Sequence, residues 1–194
     1  MQPSVHFLLI PRKQAYYTQH PLHALSTDPA FLTTVRTRTT RLMDLAADEL
    51  RRQYGDSSVS DKPYNSALEV LMSSTPDPPS PSQRAALLPP GRDWHKEIVA
   101  GVHTHPSMNH LHIHVFSRDM YSPWVKHKKH YLSFNTSFLV RLHEFPLENG
   151  DPRFKPGDWP AWDMTCWRCG RNFKNKFKAL KEHLEEEFQE WKKE

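Results

Sequence analysis

The chain has 194 residues, enough for one ordinary domain and a small appendage. Its apolar share is 37% and its mean hydropathy −0.75, below the roughly 45–50% apolar share of soluble globular chains, so one modest core is expected and not two. A net charge of +4 suits a polyanionic partner, two cysteines exclude a disulfide-built secreted scaffold, and no window approaches the ~20 apolar residues of a membrane span.

Val5 to Ile10 reads as a short buried strand stopped by Pro11. Its apolar run, Phe7 to Ile10, is too short for a signal peptide, so neither a secreted nor a membrane-spanning protein is expected. Residues 11–30, with Pro11, Pro21 and Pro29, read as loop. A helix follows from Asp28 to Tyr54, with Asp28 placed to cap it and Pro29 at its first position. Phe31, Leu32, Val35, Leu42, Leu45, Ala46 and Leu50 recur there at helical spacing. Asp61 to Met72 is a second, weaker helix. Residues 73–92 hold six prolines among serines. That tract reads as a loop or disordered insert, because it cannot bury enough surface to offset its ordering entropy.

Glu97 to His103 and Leu111 to Phe116 read as strands, joined by the turn-rich Thr104-His105-Pro106-Ser107-Met108-Asn109. Tyr131 to Leu142 alternates loosely and predicts a further strand. Residues 146–162 collect prolines and glycines and read as a linker, after which the composition turns to Cys, Lys and Glu. The expected division is residues 1–145, a linker over 146–162, and a C-terminal unit over 163–194.

His110-Leu111-His112-Ile113-His114-Val115-Phe116 is the sharpest signal. On a strand, His110, His112 and His114 share one face at about 6.6 Å intervals, while Leu111, Ile113 and Val115 enter a core. Neutral imidazole is nucleophilic, and its ordinary pKa of about 6.5 leaves it mostly neutral at pH 7. Attack on phosphorus gives a phosphoramidate that water cleaves later, and neighbouring imidazoles can orient the nucleophile and hold phosphate oxygens. A metal site or a plain polar face are the other readings of such a trio.

Cys166-x-x-Cys169 is followed by thirteen residues, His183, three residues and Glu187. This is close to the two-Cys, two-His finger, with a carboxylate as fourth zinc ligand. His183 and Glu187 are four apart on one helical face, and Glu186 is one residue off it. Phe173 and Leu180 stand where such fingers place their small core. A structural zinc held by Cys166, Cys169, His183 and Glu187 is the expectation. A redox pair is the alternative for the cysteines.

At the histidine run the sequence resembles the histidine-triad nucleotide hydrolases and transferases. The lead-in Gly101-Val102-His103-Thr104-His105-Pro106-Ser107-Met108-Asn109, the segment Ser122 to Thr136 and the zinc module resemble one branch of that superfamily, the aprataxins. The resemblance implies an α+β histidine-triad fold with an antiparallel sheet and helices, followed by a small ββα-like zinc finger packed nearby. It also implies a nuclear DNA-repair hydrolase that removes AMP from adenylated DNA 5′ ends. Carried over, His112 is the nucleophile, His110 and His114 hold the phosphate, Ser107 donates to it, and His103 is the acid for the departing 5′-phosphate. Lys126 and His130 contact the DNA backbone, and the fungal-type branch has glutamate as the fourth zinc ligand.

The charge pattern adds to this. Lys126, Lys128, Lys129 and His130 form a basic stretch without an acid, as do Arg168, Arg171, Lys174, Lys176, Lys178 and Lys181 on the finger's front. Such groups give sequence-independent affinity for phosphates. Tyr131 either stacks on a terminal base or belongs to the core. The partners expected are DNA ends or nicks carrying 5′-AMP, with AMP as product, no membrane, and a monomeric state. The alternatives are a nucleotide hydrolase acting on small phosphoramidates and a non-catalytic DNA-end-binding protein. In the family a further strand, with a carboxylate for the ribose hydroxyls, precedes the Pro3-Ser4 equivalent. Here Met1-Gln2-Pro3 offers no counterpart, so either an upstream start or an open nucleoside pocket is expected.

Overall fold

The computed structural model describes residues 3–74, 80–108, 110–122, 126–155 and 157–194. Residues 75–79 of the proline-rich tract, Asn109 of the turn, residues 123–125 of the second resemblance segment, Pro156 of the linker and the first two residues lie outside that set. The architecture is α+β, as expected. Four antiparallel strands, β1 (His6–Leu9), β2 (Ile98–His103), β3 (Ile113–Ser117) and β4 (Leu139–Arg141), form a sheet in the order β1-β3-β2-β4.

The register assigns the two faces. His114 lies between Leu8 and Gly101, Phe116 between His6 and Val99, and His103 faces Leu139. Paired residues share a face and alternate along each strand. His6, His103, His114, Phe116 and Leu139 therefore stand on one side, and Leu9, Val102, Ile113 and Val140 on the other. Gly101 is required where β4 approaches, since a Cβ there would sit 2.5 Å from the Val140 carbonyl oxygen.

The second face is covered by α1 (Pro21–Thr27) and α2 (Pro29–Tyr54), which bury Leu22, Leu25, Phe31, Leu32 and Val35 against Val102, Ile113 and Val140. Asp28 caps α2 by accepting from the Phe31 amide at 2.9 Å, and Pro29 opens the helix, as the sequence predicts. Leu45, by contrast, is exposed. Three predicted loops or strands are corrected. Pro21 starts α1 inside the supposed loop 11–30, its missing N–H being one that a helix start leaves unpaired anyway. Ser80 and Gln83 form a capping box that starts α4 (Pro81–Leu87) inside the proline-rich tract. Residues 131–142 divide between α5 (Lys128–Asn135) and β4. The weaker helix appears as α3 (Lys62–Ser74).

The C-terminal unit is ββα: β5 (Met164–Thr165), β6 (Asn172–Lys174) and α6 (Phe177–Trp191). It shares its core with the first sheet face, where Val99, Phe116, Leu132, Phe134 and Leu139 meet Met164, Cys166, Phe173, Leu180 and Leu184. A second seam joins Phe188 and Trp191 to Trp94, Ile98 and Leu50. There the Arg92 guanidinium lies 4.3 Å from the Trp94 ring and 4.8 Å from the Trp191 ring, and donates to the Trp191 carbonyl at 2.6 Å. Among the described residues no helix is long and apolar enough to cross a membrane.

Candidate active site and zinc centre

Only His114 of the histidine run lies within β3. His112 and His110 precede the strand. The even row of three imidazoles expected from strand alternation is therefore replaced by a bent approach. The His112 and His114 rings lie 4.8 Å apart, and the His110 ring instead packs 4.4 Å from Tyr17. The His112 Nδ1 lies 2.8 Å from the His110 carbonyl oxygen. A carbonyl only accepts, so Nδ1 carries the proton and Nε2 presents its lone pair.

His103 is brought beside His114 by the β2–β3 pairing; their rings lie 4.3 Å apart. His6 was not anticipated. It reaches His114 from β1, Nε2 to Nδ1 at 2.9 Å. The signal for it was a histidine inside the first strand, but its partner depends on the register of β1 against β3. Phe134 backs the cluster, 5.0 Å from the His103 ring and 5.2 Å from the His114 ring.

Burial, and then the neighbouring imidazoles, hold His103 down to about 4 and His114 to about 2. Both are neutral at pH 7. His103 is also hydrogen-bonded to the Ser133 carbonyl. The Nε2 atoms of His103 and His114 are buried without a hydrogen-bond partner among the described residues. Two unsatisfied ring nitrogens beside a lone-pair-bearing His112 are costly unless a ligand completes them. Ser107 is exposed on the turn after β2.

The basic groups are dispersed. Lys126 and Lys129 are exposed, and Lys128 bonds the Asn175 side chain of the finger. His130 is half-buried, with burial and His127 lowering its pKa. Arg171 lies 5.1 Å from the Phe173 ring, and Lys174 is exposed in a left-handed turn with φ 49°. Tyr131 is core: its hydroxyl donates to the Thr165 carbonyl at 2.8 Å and accepts from the Trp167 amide at 3.0 Å.

Cys166, Cys169, His183 and Glu187 bring their ligand atoms within 4.8 Å of one another. A tetrahedral zinc with legs of about 2.0–2.3 Å has edges of about 3.3–3.8 Å, so this set fits it. Glu186 is exposed and outside the group. Arg168 donates to Glu187 at 2.5 Å, orienting the carboxylate from behind.

The family described as C2HE / C2H2 / C2HC zinc-binding finger matches residues 135–190, and that described as scavenger mRNA decapping enzyme C-term binding matches 86–130. The four-residue set is accordingly a structural zinc centre. The aprataxin-like protein of Saccharomyces cerevisiae is 46% identical over 96 residues, covering 47% of this chain and 44% of the relative. That of Schizosaccharomyces pombe is 40% identical over 94 residues, covering 48% and 40%. The chain thus matches less than half the length of either relative. Among solved structures, the aprataxin ortholog Hnt3 in complex with DNA superimposes with a TM-score of 0.69 at 26% identity, covering 98% of this chain and 80% of that one. Hnt3 from Schizosaccharomyces pombe gives 0.66 at 26%, covering 98% and 78%. Sequence relatives, solved neighbours and the finger family converge: the chain is similar to aprataxin-like proteins in sequence over about half its length and to the aprataxin ortholog Hnt3 in fold over nearly all of it, and its C-terminal part matches the finger family.

Proposed function

We propose that the chain is a DNA-repair hydrolase that removes AMP from adenylated DNA 5′ ends. The observation that carries this is the pair of buried, unpartnered Nε2 atoms on His103 and His114 beside His112, whose own Nε2 is left free by the His110 carbonyl. A phosphate completes such a set once His103 is protonated, because its Nδ1 already donates to the Ser133 carbonyl and only a protonated Nε2 can donate to an oxygen. The phosphate's negative charge also raises the imidazole pKa values that burial lowers.

In the reaction His112 Nε2 attacks the adenylate phosphorus. A P–N bond forms, and the bond from phosphorus to the bridging oxygen of the DNA 5′-phosphate breaks. His103, protonated once the phosphate charge is present, gives its proton to that oxygen. Water then attacks the phosphoramidate, the P–N bond breaks, and AMP leaves while His112 is regenerated. His114 and Ser107 hold non-bridging oxygens, while His110, its ring packed on Tyr17, acts through its carbonyl on the His112 ring. Ser107 stands exposed on the turn after β2, open to such a contact.

The DNA backbone would rest on Lys126, Lys129, His130, Arg171 and Lys174. Lys128 adds its charge while bonded to Asn175. The first turn of α5 holds Lys128, Lys129 and His130 and no acid. Cations at a helix N-terminus are unfavourable, and a phosphate there relieves that cost. Nuclear location and a monomeric state belong to the same proposal.

The test is turnover of a nicked duplex carrying 5′-AMP, with denaturing capture of labelled AMP on the protein. Parent protein is expected to release AMP and to show the adduct. His112→Ala is expected to lose both while binding DNA nearly as before, because affinity comes from the basic groups. Turnover by that variant within about tenfold of the parent would sink the mechanism. Preference for small phosphoramidates over nicked DNA, or binding without turnover by the parent, would overturn the substrate assignment.

A further inference from the structure

At the sheet edge beyond β4, away from the histidines, lies a cavity of about 560 Å³. β4 pairs with β2 only from Gly101 to His103, so the stretch from Ile98 to Ala100 has no strand on that side and floors the cavity. Arg36 and Thr39 of α2 line it with Arg118 and Arg141. Among the described residues no carboxylate lines it and none of the three guanidinium groups makes an ion pair. The nearby acid, Glu144, is already committed. One oxygen accepts the Arg141 amide at 2.7 Å and the other pairs with Arg153. Arg36 donates to the Phe145 carbonyl at 2.5 Å, which fixes it and leaves its other donors available.

Thr39 is the second, independent observation. Four other threonines of α2, Thr33, Thr34, Thr37 and Thr40, each bond the carbonyl four residues back. Thr39 is 1% exposed, and its hydroxyl has no partner among the described residues. A buried hydroxyl that forgoes its local acceptor beside three guanidinium groups without an ion pair among the described residues is completed by an oxyanion. Burial, and then Arg118, lower the Arg141 pKa, and Glu144 offsets this only in part.

We propose that Arg36, Thr39, Arg118 and Arg141 form a second anion site, for a small phosphate-bearing ligand such as free pyrophosphate or a nucleotide's terminal phosphates. The inward position of Thr39 favours a compact ligand over a duplex backbone. This site does not depend on the histidine chemistry.

Calorimetric titration of the zinc-loaded full chain with inorganic pyrophosphate tests it. The parent is expected to bind, and Thr39→Val and Arg141→Gln are each expected to weaken binding about tenfold, the value of one hydrogen bond to a charged group. Thr39→Val keeps the side-chain volume and deletes an unpartnered hydroxyl, so its melting temperature should not fall, which separates ligand loss from unfolding. In His112→Ala the Thr39-dependent binding should keep the parent affinity within about twofold, whatever pyrophosphate the histidine pocket itself holds. Unchanged binding in Thr39→Val, or loss of binding in His112→Ala, overturns the proposal. If duplex DNA loses affinity in Thr39→Val by the same factor as pyrophosphate, the arginines serve a nucleic-acid backbone and the small-anion assignment is overturned.

Discussion

Tyr131→Phe removes one oxygen atom from the junction between α5 and the finger. The ring is 1% exposed and its packing is retained. Burial pushes the hydroxyl's pKa up, so it stays protonated and donates to the Thr165 carbonyl while accepting from the Trp167 amide. Each bond is worth about 1 kcal/mol net, and a donor left unpaired out of water costs about 1–3 kcal/mol. Thr165 is exposed and its carbonyl can be rehydrated, whereas Trp167 is half-buried. The expected loss is therefore about 2–3 kcal/mol, most of it from the Trp167 amide. Urea unfolding of the zinc-loaded proteins, followed by far-ultraviolet circular dichroism, reads it. A chromogenic chelator should also strip zinc faster from the variant, because the loop carrying Cys166 and Cys169 has lost its tether. A stability change under about 0.5 kcal/mol, the range of an ordinary surface substitution, would refute the assignment of this hydroxyl as the junction's anchor.

Cys166→Ala is expected to release zinc and unfold residues 163–194, since a finger this small depends on its metal; elemental analysis and circular dichroism check both. Glu187→Gln should weaken zinc by more than the roughly tenfold that loss of an outer-shell partner costs, while Glu186→Gln leaves it unchanged in a chelator competition. The ring resonances of His103 and His114 should stay flat from about pH 5.5 to 8, because both pKa values lie below that window. Adding AMP should bring at least one titration into the window, since a negative charge favours the protonated ring. Titration there without ligand would contradict the burial.

Local chemistry was legible where a local signal decides structure. Asp28-Pro29 marks the start of α2, the strand read from Val5 to Ile10 contains β1, and cysteine and histidine spacing picks out the zinc ligands. Prolines, read as breakers, hide two helix starts. Pro21 and Pro81 instead open helices, and only the Ser80–Gln83 capping box distinguishes the second case. The aromatic and β-branched content of 131–142 argued for one strand, but Tyr131, Leu132 and Phe134 gain their burial from the finger and the sheet face, which helical spacing permits. At the site, residue types were legible and arrangement was not. His6 joins through strand register, His110 leaves to pack on Tyr17, and Lys128 turns to Asn175, all of them long-range contacts.

Under the proposed function, the seam between finger and sheet also bears on how a long substrate would be gripped. Interlocked side chains on one flank and the Trp94–Arg92–Trp191 sandwich on the other fix the angle between the histidine pocket and the finger's basic front. Such a protein works as a rigid template, not as a clamp that closes. A nucleic acid that touches both surfaces must supply the deformation itself, so strand breaks, which make a duplex easy to bend, would be favoured by mechanics before any base is read.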